Sequence, residues 1–340
     1  MEENILKNKV CSISIILIFS LFFSLTGCSQ KIDSTATSDD GPLNITLIGA
    51  SNGGTLFMVL SAVAECINMS YSGSNVTIVP GSTGANPTRM NNNEADASVT
   101  HSVTAYSALK GKPPYAGEME NIASVASLYP SVLQIAVDKA IGITSLDEFI
   151  NNKMKLRMSI GQPGATSEIL FKQIISEYGV TIEDIQAWGG EIMFQNIDES
   201  AQMLADGRID GAVFSTYFPI PHLQEAAVGK DFVLITVNEN ILSQVKEEYG
   251  YQDTVIPSNT YPFLLQDMPT ICSHTIIFVP KNSSDEIAYK IARSITENID
   301  YLSKVHISME NLTPDLLVSN LGIPLHPGAE KYYREKGILK

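Results

Sequence analysis

The stretch that decides the fold runs from residue 44 to residue 67 and reads NITLIGASNGGTLFMVLSAVAECI. It opens with a short β-rich run, Asn44 to Ile48, and continues into a glycine-rich loop from Gly49 to Gly54. Apolar residues then recur at positions 56, 59, 60, 63 and 67, which is the spacing of an amphipathic helix. A strand, a turn and a helix in immediate succession form the repeating unit of α/β proteins.

The same alternation of strand and helix continues along the chain. Further strands are predicted at 75–79, 97–100, 132–137, 156–160, 211–214 and 275–279. A helix is predicted after the loop at 161–164 and a longer one from Ser284 to Ile299. Ser145 with Glu148 has the spacing of a capping box, which predicts another helix start. The predicted fold class is therefore α/β.

One pattern occurs twice in the chain, at 93–99 and at 207–213. Each copy has an aspartate between small or apolar residues, and each leads into a strand that ends in a polar cluster. The clusters are Thr100-His101-Ser102 and Ser215-Thr216-Tyr217. Two similar lobes would each place such a cluster at the carboxyl end of a strand, where open α/β sheets bind ligands. A chance similarity of seven residues is the alternative.

The first residues have the pattern of an export signal. Lys7 and Lys9 precede an apolar run from Val10 to Leu25, which ends just before Cys28. We interpret 1–27 as a lipoprotein signal peptide, Cys28 as the lipidated residue and 28–41 as a flexible tether rich in Ser, Thr and Asp. A single membrane-spanning anchor is the alternative, but the run is shorter than the roughly 20 residues that a spanning helix needs.

Composition excludes several classes of function for the roughly 300 remaining residues. A net charge of −15 argues against binding nucleic acid or anionic lipid head groups, and any anion site must rely on local donors. The five histidines are scattered without metal-ligand spacing, and no metal or cofactor is expected. Cys66 and Cys272 could form one bridge in an exported protein or remain two buried free thiols.

Four loops share one chemistry, in which a strand ends, small or hydroxyl residues follow, and a helix begins. A helix N-terminus exposes unpaired N–H groups and the positive end of the helix dipole, which suits a carboxylate or phosphate. Any one such loop has a purely structural explanation, but four in one chain favour a binding site. The four loops are 49–55, 81–86, 161–167 and 215–219.

The first loop also matches G-x-S-x-G, the turn that carries the nucleophile of α/β-hydrolases, with Ser51 as the serine. That turn normally follows several strands, one of which supplies the oxyanion loop, whereas very little mature chain precedes Ser51. We therefore expect a binding protein and not an enzyme, with a serine hydrolase as the weaker alternative.

With these loops in view, nearly all of the mature chain resembles the TAXI family of solute-binding proteins, which serve tripartite TRAP transporters. The resemblance implies a type II periplasmic-binding fold with two crossover strands and a hinge. It also implies a small solute such as glutamate, a related amino acid or an organic acid, and an integral-membrane partner driven by an ion gradient. The matching segments are 48–55, 80–86, 94–96, 127–130, 161–166, 206–212, 256–261 and 326–329.

The resemblance and the loop positions together give a set of candidate ligand-binding residues. Arg89 is the best candidate for clamping a carboxylate, with a solvated arginine on a helix face as the alternative. Asn52 and the run Ala85-Asn86-Pro87 depart from the family pattern and leave the identity of the solute open. The full set is Ser51, Gly53, Gly54, Thr55, Thr83, Gly84, Asn86, Arg89, Thr100, His101, Pro163, Gly164, Ala165, Thr166, Thr216, Tyr217 and Tyr261.

We expect lobe 1 to comprise 42–133 and 275–340 and lobe 2 to comprise 134–274. Hinge closure over the solute would couple binding to a change of shape. The expected protein is a monomer, lipid-anchored outside the cytoplasm of a bacterium, that delivers a small anionic solute to a TRAP-type transporter. A ligand-sensing surface lipoprotein without a transporter is the alternative.

Overall fold

The computed structural model describes residues 41–50 and 54–340. The predicted signal peptide, the predicted lipidation site Cys28, most of the predicted tether, Ser51 and Gly53 lie outside the described residues. Among the described residues, no helix combines the length and the apolar character needed to cross a membrane.

The described strands form one sheet of ten strands in the order β2-β1-β3-β10-β4-β7-β5-β6, with β8 paired to β4 and β9 paired to β10. Strands β1, β2 and β3 pair in parallel, as do β5, β6 and β7, which fits the strand–helix–strand alternation of the sequence. The strands are β1 Asn44–Ile48, β2 Asn75–Val79, β3 Ala97–His101, β4 Ile122–Asp138, β5 Arg157–Ser159, β6 Glu191–Met193, β7 Gly211–Thr216, β8 Phe232–Leu234, β9 Gln252–Ile256 and β10 Met268–Pro280.

Helices cover both faces of this sheet, and short 3₁₀ turns lie at Lys139–Ile141 and Ile307–Met309. The helices are α1 Thr55–Ser70, α2 Asn86–Asn91, α3 Ser102–Leu109, α4 Leu146–Asn151, α5 Thr166–Glu177, α6 Ile182–Ala187, α7 Ile197–Ala205, α8 Pro221–Ala226, α9 Glu239–Tyr249, α10 Asp285–Glu297, α11 Ile299–Val305, α12 Pro314–Leu317 and α13 Pro327–Glu335.

Two long strands connect the two ends of the sheet. Strand β4 has 17 residues and β10 has 13, and they run antiparallel from the pair Cys272 and Val132 to the pair Pro280 and Ile122. On its other edge β10 pairs with β3 and β9, and β4 pairs with β7, whereas β8 pairs with the end of β4 on the same edge as β10. Each long strand therefore contributes to both halves of the molecule.

The apolar residues at helical spacing in α1 form part of the core, as the sequence predicts. Val59, Leu60, Val63 and Ile67 are buried against β1 and β3 together with residues of α10 and α13. Burying one such side chain contributes about 1.5–3 kcal/mol. A second large cluster lies around Phe171 and other residues between 133 and 271, joined by Val103. The lobe boundaries at 133 and 275 stay a prediction.

Cys66 and Cys272 are free thiols, so the alternative of a bridge between them is not realised in the structure. Cys66 lies in the core cluster around α1, and Cys272 lies in a separate cluster that contains Phe214 and Tyr261. Burial raises the pKa of Cys66 to about 12 and that of Cys272 to about 11. Both thiols are therefore protonated and unreactive at neutral pH.

Candidate functional site

Asn86 joins three backbone segments at the carboxyl ends of β1 and β3. Its side-chain Nδ2 donates to the carbonyl oxygen of Gly49 at 2.9 Å and to that of Val99 at 2.8 Å. Its Oδ1 accepts from the backbone N–H of Ser82 at 3.1 Å. The side chain is fully buried, and both amide hydrogens are used inside the protein. Asn86, predicted as a ligand donor, thus has the geometry of a residue that shapes the binding loops.

The loops at 81–86 and 161–166 touch one another, although they are predicted to belong to different lobes. The backbone N–H of Gly84 donates to the carbonyl oxygen of Gly164 at 3.1 Å. A Cβ atom on Gly84 would lie only 2.6 Å from that oxygen, so a larger residue there would push the loops apart. Thr100 supports the first loop from behind, because its hydroxyl donates to the carbonyl oxygen of Thr83 at 2.7 Å. The two loops are therefore in direct contact in this structure.

A row of polar side chains crosses one face of the sheet where the two long strands meet. In the sheet register Thr275 lies between His101 on β3 and Tyr129 on β4, and Ser273 lies opposite Ser131. All five side chains are buried. His101 Nδ1 and Ser273 Oγ have no hydrogen-bond partner. Buried polar atoms are rarely left unpaired, so this polar row is suited to a bound polar solute.

The two histidines near the polar row differ in their environment. Burial, and then the neighbouring His274, lower the pKa of His101 to about 4. Burial also lowers the pKa of His274 to about 4, but its ring nitrogens contact Ser127 Oγ and Asn320 Nδ2, each at 3.1 Å. Both rings are neutral at pH 7. Of these two rings, only that of His101 has a nitrogen without a hydrogen-bond partner.

We use the word crevice for the region at the carboxyl ends of β1, β3, β5 and β7. The helices α1, α3 and α5, which follow β1, β3 and β5, lack a side-chain cap. The N-cap residues are Gly54 for α1, His101 for α3 and Ala165 for α5, and none of their side chains accepts from the first turn. The hydroxyl of Thr166, the first residue of α5, is buried without a partner. The other described helices without a side-chain cap are α2, α8 and α11, whereas α4, α6, α7, α9, α10, α12 and α13 are capped by side chains.

Tyr217 borders the crevice on the side of β7. Its ring packs edge-on against His306, with centroids 4.6 Å apart. Burial, and then the charge of Asp198, raise the pKa of Tyr217, and a hydrogen bond with the Thr55 side chain partly opposes this. Tyr217 therefore connects the loop after β7 with the start of α1 and with the segment after α11.

Tyr261 supports this loop from inside the core. It is fully buried, its hydroxyl accepts from the backbone N–H of Ile220 at 2.9 Å, and it lies 2.5 Å from Gln134 Oε1. Gln134 Nε2 in turn donates to the carbonyl oxygen of Tyr217 at 3.2 Å. The arrangement gives Tyr261 the role of holding the loop after β7, which carries Tyr217 next to the buried Thr216.

Arg89 is engaged away from the crevice. Its Nε lies 2.8 Å from Glu94 Oε2, and its Nη1 donates to the carbonyl oxygen of Pro80 at 3.2 Å. About a third of its side chain is exposed. This geometry is closer to the alternative interpretation, a solvated arginine on a helix face, than to a carboxylate clamp.

Pro163, Gly164 and Ala165 form the turn before α5, with Gly164 at a φ of +76°.

Within the described ranges, no group of three or more His, Cys, Asp or Glu side chains is arranged to hold a metal ion. The arrangement places hydrogen-bond donors and neutral polar groups, most of them buried, at the carboxyl ends of these strands. Chemically it is suited to holding a small polar molecule.

Comparison with known proteins identifies the family. A profile of the NMT1-like family matches residues 47–337, which is most of the chain. The chain belongs to the NMT1-like family. Among solved structures, this NMT1-like protein is similar to the periplasmic binding protein BugD, with 12% identity over 88% of this chain and 98% of that chain and a TM-score of 0.51.

Two further solved structures lie in the same range of similarity to the NMT1-like chain. MatC from Rhodopseudomonas palustris with bound malate has 15% identity over 88% of this chain and 100% of that chain, with a TM-score of 0.49. PhnD1 from Prochlorococcus marinus with methylphosphonate has 13% identity over the same shares, with a TM-score of 0.48. The likeness to BugD confirms the predicted α/β fold of the type II binding-protein class, with β4 and β10 as the crossover strands.

The sequence prediction did not include every residue of the candidate site of this NMT1-like protein. Ser273 and Thr275 on β10, Tyr129 and Ser131 on β4, and His306 were not among the candidates. A signal was present in the sequence, since Cys272-Ser273-His274-Thr275 places polar residues directly before an apolar strand. The predicted strand began at Thr275, whereas β10 begins at Met268.

Proposed function

We propose that this NMT1-like protein is an extracytoplasmic solute-binding lipoprotein that captures a small anionic solute between two lobes. The observation that carries the proposal is the convergence of uncapped helix N-termini and unpartnered buried polar atoms at one crevice. Helices α1, α3 and α5 begin there, and Thr166 Oγ1 and His101 Nδ1 lie beside them without partners. Helix N-termini stabilise negative charge, and unpaired buried groups favour a bound partner.

In this proposal the solute docks while the lobes are apart, and closure completes its contacts. Lobe 1 comprises 42–133 and 275–340, lobe 2 comprises 134–274, and β4 and β10 form the hinge. The hydrogen bond between Gly84 and Gly164 belongs to the closed form. A solute that contacts both loops shifts the equilibrium toward closure only by its differential affinity for the closed form.

Delivery to an integral-membrane TRAP-type transporter is the second part of the proposal. It rests on the resemblance to the TAXI family and on the predicted signal peptide with Cys28 as the anchor. The sensing alternative is tested in proteoliposomes that contain the multi-span transporter subunits encoded by neighbouring genes. Uptake that requires the binding protein supports transport, and uptake without it favours sensing.

The first experiment is a thermal-shift screen of the chain from Ser29 onward against carboxylates, phosphonates, sulfonates, amino acids and sugars. A ligand that binds only the folded state stabilises it by about 2.7 kcal/mol at a hundredfold excess over the dissociation constant. A clear shift with an anion is expected. Absence of any shift, together with absence of a copurified molecule by mass spectrometry after denaturation, would contradict solute binding.

A matched pair of variants then tests the site. Thr166→Val removes a buried hydroxyl that has no partner in the protein, so stability should be kept while affinity for the anion falls about tenfold or more. Ser294→Ala, on α10, removes another buried unpartnered hydroxyl and serves as the control with unchanged affinity. Equal affinities for Thr166→Val and the unsubstituted protein, measured by calorimetry, would contradict the assignment of Thr166.

A further inference from the structure

Strand β2 lies at one end of the strand order and has a free edge. It pairs in parallel with β1, and none of the residues that the structure describes pairs with its other edge. The backbone N–H of Asn75 donates to the carbonyl oxygen of Leu43 at 2.7 Å. At the other end of the strand, the carbonyl oxygen of Val79 accepts from the backbone N–H of Gly49 at 2.9 Å. The first and last residues of β2 therefore direct their backbone groups toward β1.

Two other residues of β2 direct their backbone groups to the free edge. Successive residues of a strand point their N–H and C=O groups to opposite edges, so those of Val76 and Ile78 point away from β1. The side chains of these two residues pack against the core cluster around α1, which holds the strand in place. Thr77, between them, is exposed. The free edge thus offers N–H and C=O groups on each side of Thr77.

This edge lacks the charges that usually keep two sheet edges apart. In a chain with a net charge of −15, no Asp, Glu, Lys, Arg or His lies between Glu65 and Arg89. By contrast, strand β6 at the other end of the strand order contains Glu191, and β9 contains Asp253. Natural proteins commonly protect edge strands with charged side chains. Strand β2, with the sequence NVTIV, has no such protection.

The distribution of charge over the chain also favours contact at β2. Two acidic molecules repel each other unless their charges are kept apart. Most of the net negative charge lies in 134–274, the predicted lobe 2, which contains β5 and β6. These strands lie at the opposite end of the strand order from β2. Two copies in contact along β2 would therefore keep their acidic regions far from each other.

We propose that two copies of this protein associate through β2, as an antiparallel strand pair about a two-fold axis at Thr77. Val76 of one copy then lies opposite Ile78 of the other, and such a pair exchanges two backbone hydrogen bonds. This axis pairs all the outward backbone groups of β2, and it uses the same surface on both copies, as two-fold dimers do. The proposal goes beyond the proposed function, is independent of the solute, and replaces the expectation of a monomer.

The geometry of the pair sets its strength. At the axis the two Thr77 residues face each other without mutual backbone bonds, an arrangement that places their Cα atoms about 4.5 Å apart. A strand of five residues buries far less surface than the roughly 1,200 Å² of a stable interface. We therefore expect a weak dimer that dissociates on dilution.

The first test traps the pair with a disulfide. Thr77→Cys, in the chain from Ser29 onward, places two thiols within the Cα separation of about 4.4–6.8 Å that a disulfide needs. Cys66 and Cys272 are buried and do not compete. Asn75→Cys is the matched control, because in this register its two copies lie roughly 13 Å apart. Mild oxidation should give a covalent dimer of Thr77→Cys at several times the yield of Asn75→Cys. Equal yields, or no dimer of Thr77→Cys, would overturn the proposal.

The second test uses charge at the axis and sedimentation velocity. The average mass of the unsubstituted chain from Ser29 should rise with concentration. Thr77→Lys or Thr77→Glu alone places like charges opposite each other and should raise the dissociation constant about fivefold or more, whereas an equimolar mixture should recover a dimer. Gln252→Lys, at an exposed position on β9, is the control with unchanged association.

The outcomes of the second test separate the occupants of the edge. A monomer at every concentration would overturn the proposal and leave the edge of β2 to an extended strand of another protein. Association that persists in Thr77→Lys would place the interface elsewhere and would overturn the proposal as well.

Discussion

His101 is the residue whose burial has the clearest measurable consequence. It lies at the end of β3 with one ring nitrogen unpartnered, and it stays neutral because its charged form would be desolvated next to His274. In the unfolded chain the same ring has its ordinary pKa of about 6.5. The folded and unfolded states therefore differ in the number of bound protons between pH 6.5 and pH 4.

The sign of the effect follows from proton linkage. Below pH 6.5 the unfolded chain binds a proton at His101 that the folded protein does not bind. The contribution of neutral His101 to the free energy of unfolding is therefore complete above pH 6.5 and is lost as the pH falls toward 4. Between pH 7 and pH 5 this loss amounts to roughly 2 kcal/mol for His101. We expect His101→Gln to reduce the pH dependence of the unfolding free energy by about that amount, measured by urea denaturation. Parallel pH profiles of the variant and the unsubstituted protein would contradict the prediction.

Two other residues show where prediction from sequence stops. The composition of the loop draws attention to Asn86 and Arg89, but only the three-dimensional arrangement shows what their polar atoms bond. Asn86 bonds Gly49 and Val99, which are 37 and 13 residues away, and Arg89 pairs with Glu94. Whether a side chain faces a solute or supports a loop depends on partners distant in sequence.

At the scale of elements, local patterns predicted most strands and helices, because they depend on periodicity and turn residues. Strand β4 was predicted only from residue 132, whereas it begins at Ile122 and passes through Pro130. Serine, alanine and proline weaken the strand pattern in its first half. The polar row across β3, β10 and β4 could not be predicted, since it depends on the register between strands more than 140 residues apart.

A contact between α3 and α9 offers a test of lobe closure. Lys112 Nζ lies 2.9 Å from Glu248 Oε1 and bonds the carbonyl oxygen of Glu248 at the end of α9. The same ammonium lies 5.3 Å from the ring centroid of Tyr106 on α3 and 5.9 Å from that of Tyr249 on α9. Lys112 thus bonds groups from both predicted lobes, and a lysine at a helix C-terminus is favoured by the dipole.

We expect Lys112→Met to favour the open form while keeping the apolar stem of the side chain. A partly exposed ion pair and a cation–π contact are each worth about 1 kcal/mol or less, so the dissociation constant should rise about three- to tenfold. Lys139→Met is the matched control, because Lys139 pairs with Asp231 inside predicted lobe 2 and should leave affinity unchanged. An equal loss of affinity in both variants, or none in Lys112→Met, would contradict a role in closure.

At the scale of the whole molecule, the long strands make the two halves dependent on each other. Strand β4 pairs with β7 on one edge and with β10 and β8 on the other, while β10 pairs with β4 on one edge and with β3 and β9 on the other. Unfolding of either half would expose the backbone groups of strands that the other half needs. Backbone N–H and C=O groups that lose their strand partners while the other half stays folded cost free energy. This cost favours a single cooperative unfolding transition.

Trp188, the only tryptophan of the chain, allows this cooperativity to be measured. It packs at the edge of the core cluster that contains Phe149, with ring centroids 6.3 Å apart, and so reports on predicted lobe 2 alone. Far-UV circular dichroism reports on the whole molecule, and the two urea midpoints should coincide. The double variant Trp188→Phe/Tyr301→Trp moves the fluorescent probe to a partly exposed site on α11 in predicted lobe 1. The urea midpoints from fluorescence and from circular dichroism should again coincide. An earlier loss of the Trp188 signal would show that lobe 2 unfolds by itself and that β4 and β10 do not transmit stability between the halves.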